Sequence, residues 1–182
     1  MPDGNGRKQV LILQGSASSR SSNLLLAQWI ARSAEKEFDS VLFDGLKTLP
    51  HFDPEQSLSD PPESVIAFRA AIERSDGIVV CTPEYVFSLP SGLKNALEWC
   101  ISTTVFQDKP CGLVTASADG ERGHEQLQLV LRTAMARFTA DTSLLIRGIK
   151  GKFDGNGNLV DPETRIRLDG FLGSFVRLLE DR

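Results

Sequence analysis

With 182 residues, 41% hydrophobic and 24% charged, the chain has the make-up of a globular domain long enough to bury a substantial core. Its net charge of −4 sets nucleic acid aside as a partner, because neutralising a phosphate backbone needs a basic face. Three cysteines (Cys81, Cys100, Cys111) cannot all pair within one chain and match no zinc spacing, so they read as small buried hydrophobes in a reducing cytoplasm.

Residues 1–8 are polar and read as a disordered tail with no signal-peptide character, and no apolar run is long enough to cross a bilayer. Residues 10–13 (Val, Leu, Ile, Leu) pattern as a buried strand, followed by a serine-rich loop and a helix over 23–36 with Leu24, Leu25, Ala27, Ile30 and Ala31 on one side. A second strand falls at 40–43, and 44–62 is a long polar connection with several prolines. The pattern then predicts a helix over 63–74, a strand at 77–81, a proline-rich loop, and a helix over 92–101. A fourth strand at 111–116, a loop with Gly120 and Gly123, a helix over 124–138 and a fifth strand at 142–146 follow. Residues 152–160 are an excursion with a tight turn, and a last helix opens with Asp161 as N-cap and Pro162 at its first position. Neither repeat nor linker interrupts the chain, which reads as a single domain over 1–182.

Alternating helices and continuous apolar strands require a parallel sheet covered on both faces. Five strands favour an α/β, flavodoxin-like three-layer sandwich of strand order 2-1-3-4-5 over a six-stranded Rossmann sheet, whose G-x-G-x-x-G turn is absent after the first strand. In that order the loops after strands one, three and four meet at the carboxyl edge, where small ligands bind.

Those three loops carry the chain's least ordinary residues. The first holds Ser16, Ser18, Ser19, Arg20, Ser21 and Ser22 and leads into a helix N-terminus, a setting that favours an anion. Arg20 can grip phosphate oxygens by two bonds; the alternative is a serine-rich turn that only caps the helix. In the second loop, prolines hold the backbone amides rigid, and Tyr85 and Phe87 taken singly are ordinary half-exposed aromatics. The third, from Ser117 through Gly120 to Gly123, allows close backbone approach to a ligand, or is a plain flexible loop.

Taken together, Thr82-Pro83-Glu84-Tyr85-Val86-Phe87-Ser88-Leu89-Pro90-Ser91-Gly92-Leu93-Lys94-Asn95-Ala96 and Trp99 resemble the TPEYN-x-S-x-PG-x-LKNA-x-[DE]W loop of the NADPH-dependent FMN reductase family. Gly15, Ser16, Ser21 and Asn23 stand in register with that family's G-S-x-R-x-x-S-x-N phosphate cradle, with Ser18 where arginine is usual and Arg20 two positions later. Residues 126–132 and 152–168 extend the likeness over nearly the whole chain; it is weakest over 44–62, and Val86 and Ser91 replace an asparagine and a glycine. The resemblance implies an FMN-dependent enzyme that takes hydride from NAD(P)H on flavin N5 and passes it to a quinone, azo compound, metal oxyanion or flavin. It implies Ser16, Ser18, Arg20, Ser21, Ser22 and Asn23 at the phosphate, and Pro83, Glu84, Tyr85, Val86, Ser88 and Ser117 around the ring, with no catalytic side chain and no metal. It further implies a homodimer or homotetramer, with Trp99 and its helix either at the interface or in the core. A flavodoxin-type electron carrier and an FMN-binding protein without turnover are the alternatives.

Other motifs are excluded. Residues 154–158 resemble a calcium loop but have Arg165 where glutamate is needed. Gly151-Lys152 lacks the Ser or Thr of a P-loop, and two histidines and no G-x-S-x-G leave neither a metalloprotease nor a nucleophile elbow.

Overall fold

Every residue of strand β3 (Gly77–Thr82) is buried, as are all but the last of β4 (Cys111–Ser117), because helices cover both faces of the sheet. The computed structural model describes residues 6–16, 18, 21–43 and 45–181. With β1 (Lys8–Gln14), β2 (Phe38–Phe43) and β5 (Ser143–Arg147) these strands form one parallel sheet of order β2-β1-β3-β4-β5, as the strand pattern predicts.

Alternate strand residues feed two cores. Val10, Ile12, Val79, Cys81, Val114 and Ala116 face α1 (Ser22–Ser33) and α6 (Pro162–Glu180). Leu11, Leu13, Ile78, Val80 and Leu113 face α3 (Glu63–Arg74), α4 (Ser91–Glu98) and α5 (Glu121–Thr133). Helix α6 lies so near β4 that a Cβ on Gly112 would stand 2.7 Å from the Phe171 ring.

Several boundaries differ from the sequence expectation. Of the expected tail, residues 1–5 lie outside the described residues, and Lys8 already belongs to β1, paired with Phe38. The 44–62 connection holds a 3-10 turn (Gly45–Thr48) and a short helix α2 (Pro54–Ser59), N-capped by Asp53. Helix α1 stops at Ser33 rather than 36, and α4 at Glu98 rather than 101. Helix α5 starts three residues early and ends at Thr133 instead of 138. A Schellman turn stops it: Met135 takes φ 61°, its N–H bonds Arg132 O at 3.0 Å, and Ala136 N–H bonds Leu131 O at 2.9 Å. A methionine at that left-handed position gives no stop signal in sequence.

The L-K-N-A stretch and Trp99 turn out to clasp the 44–62 connection. Asn95 Oδ1 accepts from Phe52 N–H at 2.7 Å, while Asn95 Nδ2 and Trp99 Nε1 both donate to Pro50 O at 2.8 Å. Trp99 is wholly buried, with its ring edge-on to Phe52 at 5.4 Å, which assigns it to the core. Arg69 of α3 completes the clasp by donating to Trp99 O at 2.8 Å and to Ser57 Oγ of α2 at 2.8 Å. Replacing Asn95 by alanine leaves Phe52 N–H without its partner and Pro50 O with Trp99 Nε1 alone, so Asn95→Ala should cost about 1–3 kcal/mol. Urea denaturation with limited proteolysis checks this: the variant should lose stability and be nicked first near residues 50–53.

Candidate functional site

The three loops expected to converge do so at the carboxyl edge of the sheet, and specific bonds join them. In the first, Ser21 is the N-cap of α1 (φ −112°, ψ 145°); its Oγ accepts from Leu24 N–H at 3.1 Å and from Gln14 Nε2 at 3.1 Å. Both acceptor positions of that hydroxyl are thereby filled, which leaves its proton to donate. Ser22 opens the helix, where first-turn N–H groups precede the intrahelical ladder and favour an anion. Ser18 N–H donates to Ser16 Oγ at 3.2 Å. Arg20 lies outside the described residues.

Asn23 is buried, and its Nδ2 donates to Ala116 O of β4 at 2.9 Å. Its Oδ1 is buried without a donor, a costly state for a polar atom. Gly15 N–H donates to Cys81 O at 2.7 Å, holding this loop against the end of β3.

In the second loop, Pro83 is buried and its carbonyl accepts from Thr82 Oγ1 at 3.0 Å. Glu84 reaches the third loop: its Oε2 accepts from Gly123 N–H at 2.7 Å in the first turn of α5, and its carbonyl accepts from Ser117 Oγ at 3.4 Å. Tyr85 reaches back to the first loop, its hydroxyl 3.1 Å from Ser16 Oγ. Ser88 Oγ donates to Gln126 Oε1 of α5 at 2.7 Å.

Tyr85 and Ser88 also exchange backbone bonds, Tyr85 N–H to Ser88 O at 2.9 Å and Ser88 N–H to Tyr85 O at 3.0 Å. Between them Val86 (φ 52°) and Phe87 (φ 56°) form a type I′ turn, a geometry that favours Asn-Gly. A non-glycine residue in the left-handed region costs about 1–2 kcal/mol, so this tip is strained. Val86 stands at the apex of the hairpin, 93% exposed.

Gln14 is a site-building residue that the loop motifs did not single out, whereas Gly123 and Gln126 belong to stretches that carry the resemblance and here gain specific partners in Glu84 and Ser88. Gln14 ends an apolar strand run and carried no local signal. His124 is a further member. Its Nδ1 lies 2.9 Å from Thr115 Oγ1 and its Nε2 3.0 Å from Ser143 Oγ, which ties the start of α5 to β4 and β5. The cysteines are inert: burial pushes all three thiols up to about 12. A cavity of about 520 Å³ between β5 and α6, lined by Ser143, Arg167, Phe171 and Arg177, lies away from the three loops. No helix among the described residues is long and apolar enough to cross a membrane.

A 2-1-3-4-5 sheet with an anion-favouring helix start and two further loops latched around it defines a flavodoxin-like mononucleotide-binding protein. The sequence profile of the NADPH-dependent FMN reductases matches residues 9–149, and the chain belongs to that family. It is 31% identical over 181 residues to a 2-hydroxy-1,4-benzoquinone reductase from a Burkholderia species, covering 96% of this chain and 97% of that one. It is 28% identical over 180 residues to the quinone reductase of Escherichia coli K12, covering 94% and 95% respectively. Among solved structures it resembles FerB, a flavoenzyme NAD(P)H:(acceptor) oxidoreductase from Paracoccus denitrificans, with a TM-score of 0.80, 25% identity, and coverage of 95% and 97%.

The residues fit FMN. A phosphate monoester needs donors, which the Ser21 proton and the start of α1 supply. The orphaned Asn23 Oδ1 needs a donor instead, and the ribityl hydroxyls of FMN are donors.

Burial lowers the pKa of His124 from the ordinary 6.5, against a smaller opposing pull from Glu125, and so keeps the ring neutral in the folded protein. The unfolded chain takes up a proton near pH 6.5 that the folded chain refuses. The stabilisation is therefore complete above that pH and is lost as pH falls through the lower folded value. Urea midpoints measured from about pH 8 down to about pH 5 should decline, and His124→Gln should flatten that part of the profile.

Proposed function

We propose that this chain is an FMN-dependent NAD(P)H oxidoreductase that delivers reducing equivalents to a small-molecule acceptor of the quinone type. The observation that carries it is the latch of three loops, Tyr85 to Ser16 and Glu84 to Gly123, around one edge of a flavodoxin-like sheet. The quinone reductases among its relatives support the acceptor class; azo compounds, metal oxyanions and free flavin are the other candidates. The balanced reaction is NAD(P)H plus a proton plus quinone to NAD(P)⁺ plus hydroquinone.

When bound, the flavin supplies the hydride-accepting and hydride-donating centre. The chain's own work is positional. Ser16, Ser18, Arg20, Ser21, Ser22 and Asn23 would hold the phosphate and ribityl end. Pro83, Glu84, Tyr85, Ser88 and Ser117 would border the ring, with Pro83 and the 82–85 backbone presenting fixed dipoles and excluding water from one side. The Glu84 carboxylate accepts from Gly123 N–H, and its task would be to fix loop geometry. We assign the protein to the cytoplasm, consistent with three unpaired buried thiols, as a single domain over 1–182 that assembles as a homodimer or homotetramer.

Purified protein reconstituted with FMN should lose its oxidised flavin colour when mixed anaerobically with NADH or NADPH. A flavin that stays oxidised would favour a flavodoxin-type carrier or a binding protein, and a chain that takes up no FMN would refute the reading. Arg20→Ala should weaken FMN about tenfold to a hundredfold, the worth of a charge-assisted bond. Riboflavin, which lacks the phosphate, should bind that variant as it binds the wild type in a fluorescence titration.

A further inference from the structure

We propose that Val86 and Phe87 form an apolar lip that selects planar, uncharged aromatic acceptors over charged hydrophilic ones. This specificity device rests on the reductase reading above. The hairpin tip breaks two local rules at once. Both residues hold left-handed backbone, φ 52° and 56°, where a β-branched valine is especially disfavoured. Both also expose apolar side chains, 93% for Val86 and 71% for Phe87, so packing within the chain offsets neither the strain nor the exposure. Strain of this kind persists where the surroundings over-determine it, and it clusters at ligand clamps. Here the base is over-determined: Tyr85 is held by Ser16 and Ser88, Ser88 by Gln126, and Glu84 by Gly123 and Ser117. The tip therefore extends the rim of the three-loop site as a fixed projection.

The charges beside that rim point the same way. Arg122 pairs with Glu125 at 2.9 Å, and Arg147 with Asp119 at 2.9 Å and Glu121 at 3.2 Å. The cations of the third loop and of the end of β5 are thus matched by carboxylates, so that side of the rim offers an anion little attraction. An acceptor recognised here gains by burying apolar ring surface against Val86 and Phe87.

The test uses the full-length, flavin-loaded protein and the double variant Val86→Asn/Phe87→Ser, with 2-methyl-1,4-naphthoquinone as apolar acceptor and ferricyanide as charged acceptor. The ratio of kcat/KM for naphthoquinone to that for ferricyanide should fall about tenfold or more, the discrimination expected from lost apolar contacts. Naphthoquinone affinity for the oxidised protein, read by fluorescence titration, should weaken to a similar degree. Val86→Asn alone should raise the thermal midpoint by about 2–4 °C, because asparagine tolerates left-handed backbone. An unchanged ratio with unchanged quinone affinity would overturn the proposal. So would an unchanged ratio accompanied by weaker FMN binding, which would make the tip a flavin wall, or by a loss of oligomer on gel filtration, which would make it a contact between copies. A wild-type flavin that neither NADH nor NADPH bleaches would count against the reductase reading alone, since the quinone affinities still judge the lip.

Discussion

The Glu84 carboxylate accepting the Gly123 N–H at 2.7 Å is the contact on which the arrangement of the site depends. It joins the end of β3 to the start of α5, two segments that adjacent parallel strands bring to one edge of the sheet but do not otherwise fix. An anionic oxygen at a helix N-terminus meets both an unpaired N–H and the positive end of the helix dipole, so one side chain caps α5 and anchors the second loop. Ser117 Oγ on Glu84 O and Ser88 Oγ on Gln126 brace the same junction from either side.

That contact explains the glycines around it. A Cβ on Gly123 would sit 3.1 Å from Glu84 Cβ, tighter than ordinary packing allows, so the carboxylate reaches the helix only because the glycine makes room. Gly120 occupies the N-cap with φ 89°, a left-handed turn that brings the chain from β4 into α5 within a few residues. His124 secures the following turn through Thr115 and Ser143, one partner on each neighbouring strand. The left-handed backbone of Gly120 and the missing side chain of Gly123 thus serve a long-range electrostatic contact, and the two bonds of His124 keep the helix from shifting.

The strand order was legible because β1, β3 and β4 are continuous apolar runs, and the three-loop site followed from that order. What escaped was either short or distant in sequence. Asp161-Pro162 announced α6, yet the same Asp-Pro pair at 53–54 caps α2, a six-residue helix too short and too polar to show an apolar period. The end of α5 was hidden because Met135, not glycine, takes the left-handed position. Glu84 and Gly123 stand 39 residues apart, and no local pattern links them. Asn95 and Trp99 were legible as motif residues but not in their roles, since the clasp on Pro50 and Phe52 exists only once α4 is folded against the connection. The strain at Val86 was in principle readable: where the family carries an asparagine, which tolerates positive φ, this chain carries a β-branched side chain that tolerates it poorly.

The distribution of reactive groups among the described residues bears on how such a framework would serve a bound redox cofactor. The three thiols are buried with pKa values near 12, which removes the thiolate that thiol redox or nucleophilic chemistry requires. Burial holds His124 neutral, and hydroxyls occupy both of its ring nitrogens; Glu84 is committed to a backbone N–H. His124 and Glu84 thus each have a positional task at the carboxyl edge. Rigidity is what such contacts contribute, and it has a direct use: a hydride moves efficiently only when donor and acceptor atoms are held in contact with correct alignment. A frame whose loops are cross-bonded can meet that demand for two successive partners, because its walls need not re-form when one leaves and the next arrives.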